Sequence, residues 1–166
     1  MINAVWQTLA TVLIATHSYI AVGDSSGPFS IAISTAHDSI KVNSEPMLQI
    51  DLTNTSGHEI RIAKSPGDSV AEFQFDIEVR DPNGNPAQET AYLRKLKDKN
   101  TLKWWSRISL TLAPGESLKD TALIGKLFDL SQPGKYTVQV SRTVPPQLGR
   151  GVVKSNVISF TVLQLG

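Results

Sequence analysis

The amino-acid sequence predicts an all-β protein, an antiparallel sandwich. Three observations carry that prediction. From Phe29 onward apolar residues recur with a period of two rather than 3.6. Turns rich in Pro and Gly separate the alternating runs, and one late run opens on a tyrosine just after a Pro-Gly turn.

The runs come in order. Phe29, Ile31 and Ile33 alternate with small or polar residues, as do Leu48, Ile50 and Leu52, then Ile60 and Ile62. Phe73, Phe75, Ile77 and Val79 alternate with Gln74, Asp76, Glu78 and Arg80 to give the cleanest half-buried strand. Ile108, Leu110 and Leu112 follow, then Tyr136, Val138 and Val140, and last Ile158, Phe160 and Val162. One wet face and one apolar face per run is what an antiparallel sheet requires. Asn54-Thr55-Ser56-Gly57, Asp81-Pro82-Asn83-Gly84-Asn85-Pro86, Ala113-Pro114-Gly115-Glu116 and Gln132-Pro133-Gly134-Lys135 supply the turns. In them proline presets φ and glycine supplies φ > 0. No repeat, linker or low-complexity tract divides these runs, so they read as one domain over residues 24–166.

The chain has 166 residues, 40% of them hydrophobic and 19% charged, enough to build a core. The net charge of +1 argues against duplex DNA or an anionic bilayer as partner. The absence of cysteine excludes disulfide staples, iron–sulfur clusters, thiolate zinc sites and cysteine catalysis. No acidic or basic residue precedes Asp24, residues 4–22 are mainly apolar, and Ala21-Val22-Gly23 is a small-x-small site. Residues 1–23 therefore read as a signal peptide, although the usual cationic n-region is missing. A membrane anchor fits less well, because Gln7, His17 and Ser18 interrupt the span. A buried N-terminal helix is the third reading. The mature form would be extracytoplasmic, periplasmic or secreted, with no membrane span.

The run Gln132-Pro133-Gly134-Lys135-Tyr136-Thr137-Val138-Gln139-Val140 resembles the tyrosine corner of immunoglobulin-like domains, in which the tyrosine opening strand F bonds nearby upstream backbone. Antibody domains carry a cysteine two residues later, and Val138 stands there. The resemblance implies an immunoglobulin-like sandwich with Greek-key topology. Strand F would span 136–142, strand G 154–163, and residues 143–151 a long loop between them. The order of turns is similar to that of bacterial extracytoplasmic immunoglobulin-like domains. It resembles the sandwich domain preceding the catalytic domain of some secreted metalloproteases and, more distantly, the Bacillus intracellular proteinase inhibitor family. These motifs carry fold and no binding residues.

Chemistry is sparse. His37 and His58 sit in or beside turns without metal-site spacing, and no nucleophile elbow, P-loop or dinucleotide fingerprint occurs. Asp76 and Glu78 share one strand face, which a solvated surface explains. The oxygens of Asp81, Asn83 and Asn85 could hold calcium, but the loop lacks the terminal Glu, and a plain turn is the simpler account. No enzyme activity, cofactor or metal is assigned. The unusual stretch is 92–105, which gathers Arg94, Lys95, Lys97, Lys99 and Lys103 beside Trp104 and Trp105. In a strand adjacent tryptophans point to opposite faces, which places Trp104 inward and Trp105 outward, and a solvated hairpin is the plain reading of the stretch. An exposed Trp105 among cations could stack on a sugar or pack on a protein, and shielding by lysine stems is the bland alternative. Arg94, Lys95, Lys97, Lys99, Lys103 and Trp105 are thus the candidate binding residues of a non-catalytic module with a protein or glycan partner. A protease-inhibitor-like domain presenting loop 143–151 is the second reading, and a small hydrolytic enzyme the third. Asn54-Thr55-Ser56 is also a glycosylation sequon.

Overall fold

The computed structural model describes residues 27–64, 74–98 and 108–164. Ten strands and two short helices follow in the order β1 Phe29–Thr35, β2 Ser39–Lys41, β3 Met47–Asn54, β4 Ile60–Lys64, β5 Asp76–Arg80, α1 Ala91–Asp98, β6 Ile108–Leu112, β7 Ser117–Leu123, α2 Ile124–Leu127, β8 Gly134–Thr143, β9 Val152–Lys154 and β10 Ile158–Leu163. One sheet has the order β1-β3-β7. The facing sheet runs β2-β10-β8-β5, with β9 also on β8, and β4 pairs with β6. The pairs are antiparallel except β2 on β10, which is parallel. The chain crosses from one sheet to the other between β1 and β2, and the arrangement is an immunoglobulin-like sandwich.

The inward rows are those the alternation marks. Phe29, Ile31, Ile33, Leu48, Ile50, Leu52, Tyr136, Val138, Val140, Phe160 and Val162 form one apolar core with Ile60, Ile62 and Val79. Burial of such rows is the main force holding two sheets face to face.

The β3–β4 and β6–β7 ribbons turn a corner together, and Asn54 builds it. The residue is 1% exposed. Its amide nitrogen donates to the carbonyls of His58 (2.8 Å) and Leu112 (2.9 Å), and its Oδ1 accepts from the Ser56 N–H (2.9 Å) and hydroxyl (2.7 Å). Its backbone N–H donates to the Glu116 carbonyl at 2.9 Å, and its carbonyl accepts from the Gly115 N–H at 2.9 Å.

Tyr136 makes the expected corner: its hydroxyl donates to the Gln132 carbonyl at 3.0 Å. The ring stacks on its cross-strand partner Phe160, with centroids 5.8 Å apart. Gly134 precedes it at φ +136°, with the Pro82 side chain packed where a Cβ would stand, so only glycine fits.

The structure corrects the sequence reading in four places. Residues 91–98 form a helix, not one arm of a hairpin. Thr90 caps it, accepting the Leu93 N–H at 3.3 Å, and the segment Ala-Tyr-Leu-Arg-Lys-Leu-Lys contains no β-branched residue, Gly or Pro. Expected strand G is two strands. Between Lys154, opposite Ser141, and Ile158, opposite Val138, the outer strand carries one residue more than its partner, so the register slips through a bulge. Ile108 shares the inward parity of Leu112 yet is 45% exposed. Finally β2 and β7 emerge where no run was read. β2 has only three residues, and in β7 Asp120 stands in the inward row between Leu118 and Ala122 and hides the alternation. Phe73, the leader 1–23 and the pair Trp104 and Trp105 lie outside the described residues.

Candidate functional site

Helix α1 lies in the connection between β5 and β6 and packs through buried Leu93. At about 100° per residue, Lys95 points away from the side that Leu93 buries. Arg94, Lys95 and Lys97 are all exposed, and cations near a helix C-terminus meet a favourable dipole. Arg94 donates from its guanidinium to the Glu89 carbonyl, and Lys97 forms an ion pair with the Glu89 carboxylate. Lys95 carries no such contact to Glu89. The helix is tied to α2 by the Thr90 hydroxyl, which donates to the Lys126 carbonyl at 2.7 Å. Lys126 also sits 4.2 Å above the Tyr92 ring, a cation–π contact. Three of the six candidate binding residues therefore share one helix, while Lys99, Lys103 and Trp105 lie outside the described residues.

A polar cleft that sequence reading missed borders this helix. Its volume is ≈ 360 Å³. One wall is the turn Asn43-Ser44-Glu45, the other runs from Gln88 to Arg94, and Gly125 with Phe128, Asp129 and Leu130 completes it. These segments are far apart in sequence, so no local motif could have revealed them together. Backbone bonds lock the walls: the Ile124 N–H donates to the Pro46 carbonyl (3.0 Å), the Asp129 N–H to Gln88 (2.8 Å) and the Thr90 N–H to Leu127 (2.9 Å). An added Cβ on Gly125 would stand 2.8 Å from the Ser44 carbonyl oxygen, so glycine sets the close approach of α2 to the first wall.

The remaining sequence candidates resolve as structure. The Asp81 carboxylate accepts the N–H groups of Asn83 and Asn85, each at 2.9 Å, closing the turn on itself. Glu78 pairs with Arg80 along its own strand. His37 and His58 are exposed in separate turns. Among the described residues no cluster of three His, Cys, Asp or Glu side chains could hold a metal ion. Loop 143–151 is compact. The Val144 N–H donates to the Gly151 carbonyl (2.9 Å) and the Leu148 N–H to Pro145 (2.8 Å), while Val144 is buried and Leu148 packs on the core.

No family model matches the chain, and no curated protein matches it. A solved structure similar to it is the CARDB domain of the PF1109 protein from Pyrococcus furiosus, in complex with di-metal ions. The two are 15% identical with a TM-score of 0.37, and the match covers 98% of this chain and 100% of that one. At those values the likeness says nothing of function, and the sandwich stands on the strand pairing described above. The specific resemblances to metalloprotease-linked sandwich domains and to the proteinase inhibitor family find no support in these comparisons.

Proposed function

We propose that the chain is an extracytoplasmic, non-catalytic binding module that engages a protein or glycan partner through α1. The observation that carries the reading is the helix itself. Inserted in the connection between β5 and β6, it buries Leu93 and leaves Arg94, Lys95 and Lys97 at the surface within four residues. Binding residues on a connection held by a rigid sandwich are a recurrent use of such folds. Lys99, Lys103 and Trp105, the other candidates, come later in the sequence and lie outside the described residues.

The inhibitor reading draws less support. A protease cleft takes an extended, exposed run, whereas loop 143–151 folds back in a turn and packs Val144 and Leu148 inward.

The test is photo-crosslinking in the native host, with p-benzoylphenylalanine at Lys95 or, as control, at exposed Ser159 on β10. A discrete adduct from position 95, lost when Arg94→Ala and Lys97→Ala are added and absent from position 159, is expected. Equal adducts from both positions, or none from 95, would overturn the assignment of α1.

A further inference from the structure

We propose that the cleft between the turn Asn43-Ser44-Glu45 and the start of α1 is a subsite for a neutral, polyhydroxylated ligand of one or two sugar rings. This deepens the binding-module reading and rests on it.

Size and construction come first. The volume of ≈ 360 Å³ falls inside the range of about 300–1,000 Å³ typical of small-ligand sites. The walls are held by backbone hydrogen bonds and by the close approach at Gly125, so the cleft is preformed and loses little entropy on binding.

Lining chemistry selects the ligand class. Asn43 and Gln88 offer amides, Ser44 a hydroxyl, Glu45 a carboxylate and Arg94 a guanidinium. Donors and acceptors are thus mixed around one small space, and each sugar hydroxyl both donates and accepts. Glu89 is paired with Lys97, whereas the Asp129 carboxylate accepts the Ser131 N–H at 2.9 Å and keeps its charge. Glu45 and Asp129 against Arg94 leave one negative charge in excess, which disfavours an anion. Arg94 opposes an ammonium, and the carboxylates can accept from sugar hydroxyls. Phe128 and Leu130 line the cleft but are each only 5% exposed, so recognition rests on the polar groups.

The full chain, ¹⁵N-labelled, is titrated with maltotriose, cellotriose, chitotriose and mannotriose, with lysine and inorganic phosphate as charged probes. At least one trisaccharide is expected to shift the side-chain amide signals of Asn43 and Gln88. Glu45→Ala and Gln88→Ala, both exposed positions, should each weaken that binding about tenfold, the loss of one good hydrogen bond. Ser159→Ala should leave it within about twofold, since Ser159 on β10 is outside the cleft. Silence from all four sugars overturns the proposal, as does a shift produced by phosphate or lysine in their place, or binding that both alanine variants retain. If the sugars fail while the Lys95 adduct forms, the cleft assignment falls and the module reading stands. If the adduct fails and a sugar binds with the expected losses, α1 is wrong as the contact and the cleft remains.

Discussion

Tyr136 shows what one side chain does here. Burial raises its pKa above the ordinary tyrosine value, the bond to the Gln132 carbonyl offsets part of the rise, and the Asp129 and Asp81 carboxylates add to it. A folded-state pKa above the unfolded one means that the native state holds the proton more tightly. The stability involved is complete below about pH 10 and is lost as the pH climbs through the folded pKa. Tyr136→Phe should lower stability by ~1–3 kcal/mol at neutral pH, because the Gln132 carbonyl loses its donor. The variant should also flatten the decline seen on going alkaline. Urea denaturation at pH 7 and pH 10.5 reads both, and an unmoved midpoint at pH 7 would refute the corner. This residue was legible because the Gln-Pro-Gly-Lys-Tyr spacing is local. Asp120 was not, because its environment is not. It sits in an apolar row, and Gln74 reaches its carboxylate at 3.1 Å from a distant part of the chain.

At the scale of the element, period and turn chemistry located most of the strands, and failures came where a second rule competed. The adjacent tryptophans downstream suggest strand geometry, while the helix signal of α1 lies upstream in Thr90 and the run of Leu, Arg and Lys that follows it. Arg94, Lys95 and Lys97 were therefore read from composition as an exposed cationic group, as they are, but in the wrong conformation. The cap gives a direct check. Thr90→Ala removes both the bond to the Leu93 N–H and the tie to the Lys126 carbonyl, and should cost ~0.5–2 kcal/mol. Amide exchange at Leu93 and Arg94 should quicken while exchange in β3 and β8 holds, because the loss is local. Uniform acceleration would mean that α1 is an integral part of the core. The bulge between β9 and β10 was illegible for another reason: alternation reports a face, and a register slip of one residue needs the partner strand to define it.

For the whole molecule, the two sheets must close on one another without leaving β1 an open edge. Asn156, in the bulge, does this by imitating a backbone. Its Oδ1 accepts the Ile33 N–H at 2.8 Å and its amide donates to the Ile33 carbonyl at 3.0 Å, joining β1 to the opposite sheet. Ser155 anchors the same bulge, its hydroxyl accepting the Val140 N–H at 2.9 Å. Asn156→Ala should destabilise the fold by ~1–3 kcal/mol, with exchange at the Ile33 amide rising before that of β7. An Ile33 amide as protected as in the parent would show that the edge is covered by something else. No sequence pattern announces such a clamp, since a lone Asn between strands reads as a turn residue.

The corner at Asn54 has a bearing on how the protein can be made. Both hydrogens of its side-chain amide are held by carbonyls, one of them on Leu112, and the residue is the acceptor of an Asn-Thr-Ser sequon. A glycan on that nitrogen and the closed corner are mutually exclusive. In a secretory pathway that glycosylates nascent chains, the transferase would meet Asn54 before the sheets had closed around it, and each modified chain would be barred from completing them. The same chain exported by a cell without that transferase faces no such contest, and the choice of host thereby becomes a condition of folding.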